Sequence, residues 1–273
     1  MGHDDLLREA ADTLWPDRHT ERGATGVTGS LFVLASAVEE SEQSWLFPQL
    51  APLGTLALLA GDGGTGKSTL LRELAARASR GQALFAGQQP PERPAAVVYL
   101  ASEDSPTATL VPGLREAGAD LERVSLIAPD ADDAPTFPSG IDALRSRVEA
   151  TGARLVIVDC ATDFMDAGLN PDKEVDIRWF LRPLRALAGA FDFAVIVAVH
   201  INKGRGVSAR DRILGGVAWR NTARHVVMMA SPPDSADDAP DRLVVTVKSN
   251  IALRGVGYAL RISTEGCRVP SVG

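Results

Sequence analysis

The fold is decided by the stretch Thr55-Leu-Ala-Leu-Leu-Ala60-Gly61-Asp62-Gly63-Gly64-Thr65-Gly66-Lys67-Ser68-Thr69. An apolar, strand-sized run enters a loop of the pattern G-x-x-x-x-G-K-[ST], and helical periodicity follows over residues 68–79. At this chain's own residue frequencies such a loop arises by chance roughly 0.004 times per chain. Each part has a physical use. The glycines let successive backbone N–H groups turn inward as an anion nest. The helix beyond them points the positive end of its dipole at the same place. Lys67 supplies a mobile positive charge for the outer phosphates of a nucleotide, and Ser68 supplies a hydroxyl ligand for Mg2+. Residues 61–69 therefore read as a site for ATP and Mg2+.

Outward from this loop, apolar strand-like runs at 55–60, 95–101, 124–128, 155–158 and 194–199 alternate with helical patterns. The helical patterns cover 68–79, 107–117, 141–150 and 173–187, with Gly81, Gly118 and Gly152 where helices should end. Strands apolar on both faces and separated by helices imply a mostly parallel sheet covered on both sides. After Val226 the rhythm becomes strands without helices, at 226–230, 243–248 and 258–262. The expected fold is α/β, a P-loop NTPase sheet with helices on both faces and a C-terminal antiparallel extension. Residues 231–241 read as a solvated acidic loop between those strands.

Ligands of such a sheet sit beyond the carboxyl ends of its strands, which directs attention to three tips. Arg154-Leu-Val-Ile-Val-Asp159 places Asp159 where it would hold Mg2+. Val97-Val-Tyr-Leu-Ala-Ser-Glu103-Asp104 offers Glu103 as the group that orients or deprotonates an attacking water, with Asp104 and Asp163 as competitors. The third tip, His200-Ile-Asn202-Lys203, offers His200 as a contact to the γ-phosphate.

The chain has 273 residues and a formal net charge of −7, so it is no uniformly basic nucleic-acid binder. The charge is uneven. Residues 1–45 carry −6, the remaining 228 residues only −1, and residues 200–224 form a local +5. The acidic segment divides into an amphipathic helix (Leu6, Leu7, Ala10, Ala11, Leu14) ended by Pro16 and a Gly/Thr-rich linker at 22–30. The expected domains are thus an N-terminal extension at 1–29 and an ATPase domain at 30–273. Two cysteines, Cys160 and Cys267, make no disulfide framework. There is no membrane-length apolar run and no signal-peptide or myristoylation pattern, so a cytoplasmic protein without membrane contact is expected.

The ordered set Gly-Asp-Gly-Gly-Thr-Gly-Lys-Ser, Ser-Glu-Asp, Val-Ile-Val-Asp, Val-His-Ile-Asn-Lys, Leu-Gly-Gly-Val-Ala-Trp-Arg-Asn-Thr-Ala-Arg and Val-Lys-Ser-Asn carries a family resemblance. It resembles the RecA-like ATPases of the RepA type, compact replicative DNA helicases, and the broader AAA ATPases related to them. Trp45-Leu-Phe-Pro also matches the family's lead-in. The resemblance implies a homo-oligomeric ring, usually a hexamer, with ATP between subunits and single-stranded DNA in the central channel. It assigns Lys67 and Ser68 to phosphate and metal, Glu103 to catalysis, Asp159 to the metal and His200 to γ-phosphate sensing. Arg224 matches an arginine finger given to the neighbouring subunit's ATP, with Arg220 and Arg254 as nearby competitors. Lys248 lies where related rings carry Lys-x-Arg; Asn250 stands in place of that arginine.

In the resemblance the segment after His200 faces the ring channel. Its cations Lys203, Arg205, Arg210 and Arg212 would give sequence-tolerant DNA binding, with Trp219 packed against the sheet. Two other functions compete. One is a ring ATPase acting on a replication or regulatory protein partner, docked through the acidic arm. The other, a small-molecule kinase, lacks an arginine-rich lid between the phosphate loop and Asp159.

Overall fold

The computed structural model describes residues 33–273 apart from 86, 129–133, 201–216, 234, 236–238, 253–254, 264–265 and 269–273. The chain divides into two compact units, Met1–Gln43 and Ser44–Gly273. Within the first, the described residues form a 3-10 turn at Ala35–Ala37 and leave Val33, Leu34 and Val38 exposed.

The second unit is built on a nine-stranded sheet. Its strands are β3 (Leu56–Gly61), β4 (Val97–Ala101), β5 (Val124–Leu126), β6 (Leu155–Asp159), β7 (Ala194–His200), β8 (His225–Ala230), β9 (Asp241–Ser249), β10 (Gly257–Ser263) and β11 (Gly266–Arg268). Two short strands, β1 (Trp45–Phe47) and β2 (Ala51–Pro52), pair separately as an antiparallel ribbon. Across the large sheet the order is β11-β10-β9-β8-β3-β7-β6-β4-β5. From β8 to β5 all pairs are parallel, and from β8 to β11 all are antiparallel. β3 and β6 are buried along their whole length and β7 up to its last residue, as strands covered on both faces require.

The helices are α1 (Lys67–Arg80), α2 (Val111–Glu116), α3 (Ile141–Thr151), α4 (Glu174–Phe191) and α5 (Val217–Thr222). α1 buries Leu70, Leu71, Leu74, Ala75 and Ala78, one stripe at helical spacing. It ends at Gly81, whose φ of 64° lets the Gln82 amide reach back to the Arg77 carbonyl. Gly118 and Gly152 are likewise left-handed. The pattern at 107–117 is not one regular helix. A π turn at Pro106–Leu110 precedes α2, because Pro106 and Pro112 remove two amide donors from the ladder. α4 outruns its expected end at 187 and continues to Phe191, where Asp192 takes φ 53° and is held by Arg154 at 2.9 Å.

The strand order positions the site. β7 lies between β3 and β6, so His200 is aligned with Gly61, and Asp159 is aligned with Ala101 of β4. The phosphate loop, His200, Asp159 and the segment holding Glu103 all leave the same end of the sheet.

Candidate functional site

The phosphate loop is fixed from below by the antiparallel extension. A Cβ at Gly61 would lie 2.6 Å from the Met229 carbonyl oxygen, so only glycine fits there. Gly64 and Gly66 have φ of 76° and 90°, the left-handed region that glycine enters without a Cβ penalty. Ile262 of β10 packs within 3.1 Å of the position a Gly66 Cβ would take. Arg242 of β9 donates from Nε to the Thr65 carbonyl at 3.0 Å. Inside the loop, the Thr65 hydroxyl donates to the Asp62 carbonyl at 2.8 Å, while Gly63 and Gly64 are exposed. Thr69 Oγ1 accepts from Arg72 at 3.4 Å on the first turn of α1.

Lys67 is buried, and its ammonium donates to the Gly61 and Asp62 carbonyls at 2.9 and 3.0 Å. It also lies 3.2 Å from His200 Nδ1. An ammonium can only donate, so Nδ1 accepts and the proton of a neutral His200 sits on Nε2. Nε2 faces Glu103 Oε1 at 3.8 Å. Burial lowers the Lys67 pKa, and the charges of Asp159, Asp62 and Glu103 oppose that shift.

Asp159 is buried at the tip of β6. Burial raises its pKa, and a hydrogen bond with the Ser68 side chain works against the rise. The Tyr99 hydroxyl, itself fully buried, donates to Asp159 Oδ2 at 3.4 Å. Burial, then the Asp159 charge, push the Tyr99 pKa well above its ordinary value, so it remains a donor. A buried carboxylate beside a hydroxyl is a hard oxygen set that suits Mg2+.

The three acids Glu103, Asp104 and Asp163 are differently engaged. Asp104 lies 3.8 Å from Arg72, and Asp163 accepts from the Ser102 hydroxyl at 2.5 Å. The Glu103 side chain is 66% exposed and faces His200. The Ser102 amide donates to the Asp159 carbonyl at 3.1 Å, tying the tips of β4 and β6 together.

Arg224 lies at the other end of the sheet. It precedes β8, whose Val226 is aligned with Leu58, so Arg224 stands level with the start of β3. From there to Gly61 is roughly 16 Å of strand, beyond an arginine's reach. It lines a cleft of about 530 Å³ with Thr55, Arg178, Trp179, Arg182 and Arg185. Arg178 pairs with Glu174 at 3.3 Å, whereas Arg182, Arg185 and Arg224 have no carboxylate partner among the described residues. Burial, then the charges of Arg224 and Arg182, lower the Arg185 pKa. Lys248 donates to the Arg220 and Asn221 carbonyls at 2.7 and 3.2 Å, capping α5. Trp219 is buried with its ring edge-on to Phe180 of α4 at 5.9 Å. Lys203, Arg205, Arg210, Arg212 and Arg254 lie outside the described residues.

Sequence reasoning passed over Tyr99, Arg242 and the α4 arginines. Only the spacing of Arg178, Arg182 and Arg185, i, i+4 and i+7 on one helix face, was a readable signal.

The sheet order, the phosphate loop and the acid-tipped strands define a RecA-like P-loop ATPase. A family model described as AAA domain matches residues 26–206, and the chain belongs to that family, within the RecA-like P-loop ATPase group. No curated protein matches the chain. Among solved structures, the crystal structure of the RadB recombinase is similar over 81% of this chain and 92% of that chain. Its TM-score is 0.53 and its sequence identity 19%, a likeness of fold. Among the described residues no helix is long and apolar enough to cross a membrane.

Proposed function

We propose that the protein is an ATP-hydrolysing motor of the RepA type, acting as a ring, a hexamer, on single-stranded DNA. The observation that carries this reading is the division of its cations between the two ends of one sheet. Lys67 lies with Glu103, Asp159 and His200 at the carboxyl ends, while Arg224 lies beyond reach of them at the amino end of β8. A finger so placed can serve only another subunit's nucleotide.

The residues take the following roles. The loop at 61–69 wraps phosphates with its backbone N–H groups, and Lys67 turns its ammonium from the loop carbonyls toward the β and γ oxygens. Ser68 and Asp159 would hold Mg2+, which supplies charge neutralisation on the phosphate oxygens when bound. Glu103, exposed and unencumbered by Arg72 or Ser102, orients a water and accepts its proton. His200, whose Nδ1 already lies against Lys67, is placed to register the γ-phosphate and pass its presence into the segment that follows β7. That segment bears Lys203, Arg205, Arg210 and Arg212, whose contacts to a DNA backbone would be salt-dependent. Arg224 brings a planar, permanently charged fork to the neighbour's transition state.

The test is ATP turnover measured against assembly state, with and without single-stranded DNA. Stimulation by DNA that disappears in Lys203→Ala/Arg205→Ala/Arg210→Ala supports the motor. DNA-indifferent turnover by an assembled ring replaces it with the second reading, a regulatory ring acting on a protein partner, for which the −6 of residues 1–45 is the supporting observation.

A further inference from the structure

Beside the Mg2+ ligands, the tips of β4, β6 and β7 gather a chemically different set of donors. Glu103, Cys160 and His200 each offer a ligand atom, and these atoms lie within 4.8 Å of one another. We infer that Glu103, Cys160 and His200 form a site for a thiophilic divalent ion, Zn2+, whose occupation blocks ATP hydrolysis.

The donor chemistry separates this ion from Mg2+. Magnesium takes oxygen ligands in octahedral geometry, as Ser68 and Asp159 provide. Thiolate, imidazole and carboxylate together are a zinc set, and three protein ligands leave a fourth position for water. Zinc bonds of about 2.0–2.3 Å place neighbouring donors about 3.3–3.8 Å apart, so the cluster must tighten by about 1 Å. The side chains of Glu103 and His200 are 66% and 41% exposed and can make that movement. Cys160 is fixed beneath them, 2% exposed, with Sγ 3.3 Å from Thr162 Oγ1. The proposed hydrolysis gives it no task.

Ligation breaks the Cys160 S–H bond, forms S–Zn and releases the proton to solvent, with no change of oxidation state. The Lys67 ammonium, 3.2 Å from His200 Nδ1, repels an arriving cation and has to leave His200. Zinc occupation and the hydrolytic arrangement therefore exclude each other. With its carboxylate on the metal, Glu103 no longer accepts a proton from water, and His200 no longer faces the phosphate. The inhibitory half of the inference rests on the proposed ATPase reading; the metal-binding half stands without it.

The experiment titrates the full chain with Co2+, without nucleotide or Mg2+, and then with Zn2+. The expected result is a thiolate-to-cobalt charge-transfer band in the near ultraviolet, bleached by Zn2+. Cys160→Ser should lose the band, Cys267→Ser should keep it, and circular dichroism reports whether each variant is folded. Cys160→Ser should also weaken Zn2+ inhibition of ATP turnover by at least about tenfold while leaving zinc-free turnover unchanged. No band in the unmodified chain, or a band lost in Cys267→Ser instead, overturns the site. Equal zinc sensitivity of Cys160→Ser and the unmodified chain overturns the inhibitory role. A chain that shows the band yet hydrolyses no ATP keeps the metal site and refutes the hydrolysis reading alone.

Discussion

The two ends of the parallel strands treat charge in opposite ways. At the carboxyl ends Lys67 lies among Asp62, Glu103 and Asp159, whose charges oppose the effect of burial on it. At the amino ends Arg182, Arg185 and Arg224 lie beside one another, and two of them deepen the effect of burial on the third. Lys67 is buried among anions of its own chain, whereas the three arginines are exposed and lie without a carboxylate partner among the described residues. The difference teaches which end is complete. The carboxyl end has every charge it needs except the nucleotide, while the amino end gathers like charges that an anion from outside the subunit would neutralise.

Arg224→Ala tests this contrast most severely. Loss of a finger should lower turnover by about 10³-fold while the phosphate loop still binds nucleotide. Mixing Arg224→Ala with Lys67→Ala subunits should restore part of the rate, because each Lys67→Ala subunit still lends its Arg224 to a neighbour. Turnover assays of the mixture, with binding of a fluorescent nucleotide as control, decide it. Full turnover in Arg224→Ala alone, or no recovery on mixing, would break the comparison between the two ends.

A smaller effect sharpens it from the other side. Glu103→Gln removes the proposed proton acceptor and should slow hydrolysis by about 10²-fold with nucleotide affinity retained. Here mixing with Lys67→Ala should restore nothing, since the proposed roles put Glu103 and Lys67 on the same nucleotide. Recovery in that mixture would move Glu103 to the partner's site. Together the two mixtures separate what a subunit does for itself from what it does for its neighbour.

The sequence announced the carboxyl end far more clearly than the amino end. A phosphate loop binds through backbone amides and a few obligatory glycines, so its pattern is local and short. Asp159 and Glu103 each close an apolar run, a pattern that marks them as strand tips. Tyr99 was invisible because its hydroxyl meets Asp159 only through the lateral pairing of β4 with β6. Arg242 was hidden for the same reason: its contact to Thr65 exists because β8, β9 and β10 extend the sheet beneath the phosphate loop. The pattern at 107–117 is helical in the structure, but its opening π turn was not legible, since Pro106 and Pro112 act on hydrogen bonding, which hydrophobic periodicity does not register. Crowding of the arginines was legible only as spacing along α4, without the approach of Arg224 that completes the cleft.

The smallest expected effect concerns how the amino end is held. His225, first residue of β8, is fully buried, with Nε2 2.9 Å from the Gln49 carbonyl and Nδ1 3.0 Å from Ser249 Oγ. A carbonyl can only accept, so Nε2 carries the proton and Nδ1 accepts from Ser249, whose oxygen in turn accepts the Ile251 amide at 3.1 Å. Burial lowers the His225 pKa, and the Gln49 bond opposes the shift. The unfolded chain therefore binds a proton that the folded imidazole resists. The resulting stability is fully present above the unfolded value near 6.5 and is lost as pH falls through the lower folded value. His225→Phe keeps an aromatic ring near Trp45, whose centroid is 5.4 Å away, but strands the Gln49 carbonyl and the Ser249 hydroxyl. It should cost about 1–3 kcal/mol at neutral pH. The variant should also lose less stability than the unmodified chain between about pH 7.5 and about pH 5.5, read from urea midpoints. Parallel pH profiles for the two proteins would mean that folded His225 takes up a proton as readily as the unfolded chain does. A buried imidazolium there would add a fourth uncompensated cation to the amino end, and the contrast between the two ends would then rest on burial as much as on the arginines.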